Sequence, residues 1–268
     1  ALDPQHSLLT AETIARQAGA ILRQFYERPR GSNSKSSRID LVTEADQASE
    51  KFIVEHLRAA FPDHHIVGEE GGGYGPNPDA TPYHWYVDPL DGTTNFAHRF
   101  PVFAVTIALS GPDLQPVLGV VYDPMRDEMF KAIRGQGAVL NGRPLQVSKT
   151  GDLAEALATT GFPYNRWTAE DNNTVHFSNF IRRTQGVRCV GAAALDLCWT
   201  AAGRFDMYWE SGPRPWDVQA GILFTWEAGG TITDFAGDVS RNALSGAQIL
   251  ATNGLIHDQA LAVLQQGE

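Results

Sequence analysis

The sequence predicts a fold that mixes helices and sheets in layers, either α+β or α/β. Two helical segments come first, a strand-rich stretch follows, and the last part alternates between helices and strands. A length of 268 residues fits one large domain or two modest ones. The spacing of these elements does not define how the strands connect.

The N-terminal part has the 3.6-residue apolar periodicity of amphipathic helices at residues 8–26 and 43–61, and Pro62 ends the second helix. Between them, the Gly- and Ser-rich segment 28–38 predicts a loop. Clusters of β-branched and aromatic residues then predict strands at 65–68, 83–87, 102–109, 117–122 and 128–133. In the second half, the same criteria predict helices at 169–183, 193–202, 217–228 and 255–264, and strands at 187–190, 206–209 and 248–251.

Composition excludes some classes of function. The net charge of -10 at pH 7 argues against a broad nucleic-acid surface, but it permits an anionic substrate if cations lie between protein and ligand. Two cysteines do not suggest a disulfide framework. With no apolar run of membrane-spanning length and no signal-peptide pattern, a cytoplasmic location is predicted.

The segment YVDPLDGTTNF carries the strongest chemical signal. Asp88 and Asp91 follow a predicted strand, and two carboxylates this close repel each other unless a cation bridges them. Carboxylates are the ligands that Mg²⁺ prefers. The backbone N–H groups of Gly92, Thr93 and Thr94 open a helix and could bind a phosphate. The alternative is a helix cap and a turn at the end of a strand.

A second acidic element is Glu69-Glu70, which leads into three glycines at 71–73. One of the two glutamates could complete a metal cluster, and the glycines suggest a mobile lid. The alternative is an acidic loop in solvent.

Two further aspartates have capping roles as their alternatives. Asp46 could orient a water as a general base or outer-shell ligand, although Thr43 and Asp46 also match a capping box. Asp217 could close a second metal site, although an Asp near the start of a helix is most often a cap.

In order and spacing, these elements resemble the inositol monophosphatase family of metal-dependent, lithium-sensitive phosphatases. The matching motifs are DLVTEAD (40–46), GEE (68–70), WYVDPLDGTTNF (85–96), HRFPVFAVTIAL (98–109), GVVYDP (119–124) and WDVQAG (216–221). The resemblance implies a layered α-β-α-β-α sandwich in one compact unit (1–268), with an N-terminal α+β part to about 150 and a C-terminal α/β part from about 151. It also implies a homodimer.

The resemblance further implies two or three Mg²⁺ ions per chain. Glu69, Asp88 and the backbone carbonyl of Leu90 are similar to the ligands of the first ion. Asp88, Asp91 and Asp217 are similar to those of the second, with Asp88 as the bridge. A third, weaker ion is expected near Glu69.

Catalytic and substrate-binding residues can be transferred in the same way. Thr93 and Asp46 are similar to the pair that orients the attacking water, with Glu69 as a further catalytic group. The residues expected to bind the substrate are Asp91, Gly92, Thr93, Thr94, Gly191, Ala192, Ala193, Glu210 and Asp217. Lys35 matches a basic residue on a mobile loop near the metals, whereas the roles of Glu70 and Arg214 are left open. Relatives commonly carry Ser or Thr where this chain has Ala192, so a contact to the substrate alcohol is expected to be missing.

The sequence thus predicts a Mg²⁺-dependent enzyme that hydrolyses inositol monophosphate to inositol and phosphate. Related phosphatases act on histidinol phosphate, fructose 1,6-bisphosphate, 3′-phosphoadenosine 5′-phosphate or NADP, and these substrates remain alternatives. A regulatory protein that binds RNA polymerase is the alternative from another class.

Overall fold

The computed structural model describes residues 2–28, 38–170 and 172–266, and it confirms a mixed fold with two sheets. The helices are α1 (Pro4–Tyr26), α2 (Arg38–Ala60), α3 (Thr93–His98), α4 (Thr174–Ile181), α5 (Ala193–Ala201), α6 (Pro215–Glu227), α7 (Arg241–Ser245) and α8 (His257–Leu264). The strands are β1 (His65–Gly68), β2 (Gly72–Tyr74), β3 (His84–Asp91), β4 (Ala104–Ser110), β5 (Pro116–Asp123), β6 (Glu128–Ile133), β7 (Ala138–Leu140), β8 (Arg143–Pro144), β9 (Leu157–Thr160), β10 (Gly186–Arg188), β11 (Met207–Ser211), β12 (Thr231–Thr233) and β13 (Gln248–Thr252).

The two sheets differ in size and in strand direction. The first has the order β2-β1-β3-β4-β5-β6-β7-β8, and its neighbours are antiparallel except for the parallel pair of β1 and β3. The second has the order β10-β9-β11-β13-β12, in which β9 pairs in parallel with both β10 and β11. Both sheets are therefore mixed.

Alternation along the strands produces the layers. On β4, Val105 and Ile107 pack with α1 and α2, whereas Ala104 and Ala108 pack with α5 and α6 on the opposite face. The second sheet faces α5 and α6 on one side and α4 and α8 on the other. Because successive strand residues point to opposite faces, each sheet buries both faces, and the layers follow the α-β-α-β-α order.

Three sequence predictions about local structure are wrong. Helix α2 begins at Arg38, so Asp46 lies within the helix and does not form a capping box with Thr43. Gly72 and Gly73 do not lie in a loop, because β2 pairs with β1 through Val67 and Gly73. The strands β2, β7, β8, β9 and β12 and the helix α7 were not predicted.

Helix length and polarity also bear on membranes. Within the described residues, the model contains no helix with the length and apolar character needed to cross a bilayer.

Candidate active site

A β-bulge directs Asp88 and Asp91 to the same face of the first sheet. Asp88 pairs with Thr106 and Asp91 with Ala104, so three steps along β3 match two steps along β4. Residues three apart in a regular strand point to opposite faces, and the extra residue reverses this. Both carboxylates are buried. They face the layer of α5 and α6, while Leu90 packs into the core on the α1 side.

Asp91 also caps the start of α5. Its Oδ2 accepts a hydrogen bond from the backbone N–H of Ala194 at 2.8 Å. The N-cap residue of this helix is Ala192, whose side chain offers no acceptor. An aspartate from β3 therefore satisfies the helix terminus and fixes the segment in which Gly191, Ala192 and Ala193 were predicted to contact the substrate.

Asp217 lies in the first turn of α6 and caps that helix, because its Oδ2 accepts a hydrogen bond from the backbone N–H of Arg214 at 2.7 Å. Its carboxyl group lies near that of Asp88, since its charge is among those that, after burial, raise the pKa of Asp88. Arg214 itself is exposed, and its positive charge lowers the pKa of Asp217.

Glu69 reaches the same cluster from the end of β1. Its carboxyl group lies near that of Asp88, because its charge is the first, after burial, of the causes that raise the pKa of Asp88, although the Glu69 side chain is exposed at the mouth of the site. The turn that carries it is held by Glu50 on α2, which accepts hydrogen bonds from the Glu70 backbone N–H at 2.9 Å and the Tyr74 hydroxyl at 2.7 Å. Glu50 is 4% exposed, so this clamp is buried.

The cluster is strongly acidic, and burial together with charge repulsion raises the pKa values of its carboxyl groups. Burial, followed by the charges of neighbouring carboxylates, holds the pKa values of Asp88 and Asp91 well above their usual range. Desolvation by the surrounding protein raises the pKa of Glu69 to about 7, although part of its side chain is exposed, and burial raises that of Asp217 to about 6. Carboxylates that lie this close repel one another, and protons or cations relieve the repulsion.

Asp46, on α2, lies beside this cluster, because its charge is among those that, after burial, raise the pKa of Asp88. It is 4% exposed, and burial followed by the charges of Glu70, Glu69 and Glu50 raises its pKa to about 8. Within the described part of the chain, its buried Oδ1 has no hydrogen-bond partner. The hydroxyl of Thr93, the first residue of α3, therefore does not bond this oxygen here.

The backbone before α3 requires glycine. Gly92 has a φ of 93°, and a Cβ at this position would lie 2.8 Å from the carbonyl oxygen of Val102. Thr93 and Thr94 follow at the start of the helix, partly buried and exposed respectively. The predicted phosphate-binding N–H groups therefore lie directly after Asp91.

The proposed alcohol side is assembled around Glu210 on β11. Glu210 accepts a hydrogen bond from the Tyr208 hydroxyl at 2.8 Å, and burial raises its pKa to about 7, with the charge of Asp217 adding to the rise. Asn95 on α3 donates to the carbonyl oxygens of Val190 and Gly191 at 2.9 and 3.3 Å. Asn95 thus ties residues 190 and 191 to the start of α3.

Sequence reasoning missed Glu50 and Asn95, although signals for both exist. Glu50 lies four residues after Asp46 on one helix, so the two share a face. Asn95 belongs to the DGTTN motif but was assigned no role. Lys35, by contrast, lies outside the described residues.

The donor set suits a hard divalent cation. All the proposed ligands are oxygens, which Mg²⁺ prefers, and no thiol or imidazole is among them. Within residues 2–28, 38–170 and 172–266, no three His, Cys, Asp or Glu side chains are placed so that together they could hold a metal ion. A nearby cation would nevertheless relieve the raised pKa values of these carboxyl groups and give the unpartnered Asp46 oxygen a partner.

Comparisons with known proteins give the family and the fold that this chain matches. A family model described as the inositol monophosphatase family matches residues 3–268. An inositol-1-monophosphatase from Synechocystis is 45% identical over 98% of this chain and 91% of its own length. A protein named Nus factor SuhB from Pseudomonas aeruginosa is 43% identical over 97% and 96% of the two chains. The solved inositol monophosphatase of Anabaena has a TM-score of 0.88 at 43% identity, covering 98% and 97%.

Proposed function

The chain belongs to the inositol monophosphatase family, and we propose that it is a Mg²⁺-dependent enzyme that hydrolyses inositol monophosphate to inositol and phosphate. Family membership and relatives named as phosphatases make it a phosphoric monoester hydrolase. The metal, the substrate and the roles of individual residues belong to the proposal.

The observation that supports it most is the convergence of four carboxylates. Glu69 from β1, Asp88 and Asp91 from β3, and Asp217 from α6 meet with their pKa values raised. If these groups served stability alone, apolar residues in their place would give a more stable fold, because unpaired buried charges are costly. The cluster makes physical sense as a cation site.

We assign Glu69, Asp88 and the Leu90 carbonyl to one Mg²⁺, and Asp88, Asp91 and Asp217 to a second. A third ion is expected near Glu69. Such cations would neutralise the carboxylates, activate a water for attack on phosphorus and stabilise the leaving oxygen.

The remaining groups would bind and orient the reactants. The unpartnered oxygen of Asp46 is available to accept a proton or hydrogen bond from a water, and we assign it this role together with Thr93. The N–H groups from Gly92 to Thr94 would bind phosphate oxygens at the positive end of α3.

The alcohol would lie between Glu210 and residues 191–193. A carboxylate accepts hydrogen bonds from the hydroxyls of a polyol, whereas Ala192 adds no hydroxyl of its own. Hydrolysis rates for inositol 1-phosphate, histidinol phosphate, fructose 1,6-bisphosphate, 3′-phosphoadenosine 5′-phosphate and NADP would rank the candidates. We expect inositol 1-phosphate to be hydrolysed fastest, with inhibition by millimolar Li⁺.

The central test is Asp88→Asn. Asp88 is buried, and the charges of Glu69 and Asp217 both act on it, so we expect the variant to lose most Mg²⁺-supported turnover and to keep its fold. Asp258→Asn, which neutralises an exposed carboxylate on α8, is the matched control and should behave as wild type. Calorimetric Mg²⁺ titration and circular dichroism accompany the kinetics. Near-wild-type turnover of Asp88→Asn at saturating Mg²⁺ would overturn the assignment.

A regulatory role remains the second candidate, because some relatives carry the name Nus factor SuhB. If the wild-type protein bound no Mg²⁺ in the same calorimetry, this candidate would replace the first. The cytoplasmic location and the homodimer predicted from the sequence stay predictions.

A further inference from the structure

The segment between β9 and α4 exposes two large aromatic side chains. Tyr164 and Trp167 are 81% and 82% exposed, more than the other large apolar side chains of the described residues. The segment is an ordered turn, because the backbone N–H of Arg166 donates to the carbonyl of Pro163 at 3.0 Å. The guanidinium of Arg166 also lies 4.4 Å from the centre of the Trp167 ring. Two large aromatic side chains exposed on one ordered turn are candidates for contact with a ligand.

The base of this turn is packed against the alcohol side of the site. Gly161 lies so close to Glu210 that a Cβ there would come within 2.3 Å of its carboxylate oxygens. Pro163 lies against Gly212, just beyond the end of β11. Asn173 closes the segment by donating to the carbonyl of Gly161 at 2.6 Å. The turn is thereby fixed beside Glu210.

Tyr164 lies within reach of the charges of the carboxylate cluster. Desolvation raises the pKa of Tyr164 to about 12, although its side chain is mostly exposed, and the charges of Asp91, Glu69, Asp217 and Asp88 add to the rise in that order. These are the four side chains assigned to the cations. The hydroxyl therefore stays protonated at any physiological pH and can donate a hydrogen bond.

We propose that Tyr164 is a specificity-determining residue whose hydroxyl donates a hydrogen bond to an oxygen of the leaving alcohol. The inference rests on the proposed function of the site. It assigns Tyr164 to the alcohol and not to the phosphate because its turn is anchored at Glu210 and Gly212, while the phosphate is assigned to the start of α3. The substrates that would gain this hydrogen bond are phosphate monoesters of polyols, which carry hydroxyls beyond the scissile bond.

The test compares Tyr164→Phe with wild type on three substrates. Inositol 1-phosphate and glycerol 2-phosphate carry free hydroxyls, and para-nitrophenyl phosphate carries none. Loss of one hydrogen bond should raise KM for the two polyol esters about three- to tenfold. The KM for para-nitrophenyl phosphate and all kcat values should stay within about twofold, because the contact is equal in the ground and transition states.

Trp167→Phe is the matched control, since it alters the same turn at an equally exposed aromatic that has no hydroxyl. It should leave every KM within about twofold. Unchanged KM values in Tyr164→Phe, or an equal rise for all three substrates, would overturn the inference. So would the same selective rise in Trp167→Phe, because it would point to the conformation of the turn.

Failure of the proposed function has a different signature. If the wild-type protein does not hydrolyse inositol 1-phosphate, the proposed substrate is wrong. The Tyr164→Phe comparison between glycerol 2-phosphate and para-nitrophenyl phosphate still decides the role of the hydroxyl.

Discussion

Replacing Asp46 by Asn should make the cation-free protein more stable than wild type, by a difference that grows as the pH rises. The carboxyl group of Asp46 is buried among Glu50, Glu69 and Glu70, and its pKa is raised from 3.8 to about 8. Between those pH values, the folded state holds a proton that the unfolded state has released. The stability contributed by this group is complete below pH 3.8 and is lost progressively as the pH rises towards 8.

The size of the effect follows from proton linkage. One extra bound proton makes the free energy of unfolding fall by about 1.36 kcal/mol per pH unit. Asparagine does not titrate, so the variant escapes this loss. Between pH 5 and pH 7, the stability of Asp46→Asn should therefore rise by about 2.7 kcal/mol relative to wild type.

Urea denaturation at pH 5, 6 and 7 in the presence of EDTA measures this difference, with the free energy of unfolding extrapolated to water at each pH. Asp113→Asn is the control, because it makes the same substitution at an exposed aspartate outside the cluster. Saturating Mg²⁺ should reduce the difference in the free energy of unfolding between Asp46→Asn and wild type, since cations would relieve the same repulsion. A gap that stays constant from pH 5 to pH 7 would refute the reasoning, because Asp46 would then ionise alike in both states.

Two further substitutions test the framework around the site. Gly221→Ala would place a Cβ 2.4 Å from the Cβ of Leu197 where α5 crosses α6, so thermal and urea unfolding should show a loss of about 1–3 kcal/mol. Gly151→Ala, which adds a methyl group in open space, should stay within about 0.5 kcal/mol of wild type. Glu50→Gln weakens the buried clamp on the turn that carries the first proposed ligand, and calorimetry should show Mg²⁺ affinity falling about 10- to 100-fold. Glu55→Gln, an exposed change on the same helix, should leave the affinity unaltered.

Sequence patterns predicted the long elements because these bury a periodic apolar face. Residues 65–68 and 128–133 were predicted with the observed bounds. Strands of two or three residues, such as β8 and β12, are too short to show a period, and they exist because a neighbouring strand offers hydrogen bonds. The glycines at 71–73 indicated a loop because glycine has no side chain that could show a strand period, although β2 pairs with the neighbouring β1 in a tight hairpin.

The geometry between the chemical residues could not be predicted in the same way. The motif identified Asp88 and Asp91, but only pairing with β4 creates the bulge that turns both to one face. The start of α2 was missed because Thr43 and Asp46 fit a local capping pattern, whereas the helix extends five residues further towards the N-terminus. Local sequence patterns identify candidate residues and elements, whereas pairing between elements in the folded chain determines their final geometry.

Capping and metal binding were treated as competing explanations for Asp217, and the structure shows why capping alone is insufficient. The N–H and the charge of Arg214 both lower the pKa of Asp217, yet it remains raised at about 6. Asp91 behaves alike, because its hydrogen bond from Ala194 does not bring its pKa back to the usual range. Favourable contacts at helix N-termini contribute about 0.3–1 kcal/mol, or up to about 2 when partly buried. Each pKa unit corresponds to about 1.36 kcal/mol, so the repulsion left at Asp217 alone is larger than one such contact offsets. The two helix ends orient the carboxylates, and positive charge from bound cations would offset the repulsion that remains.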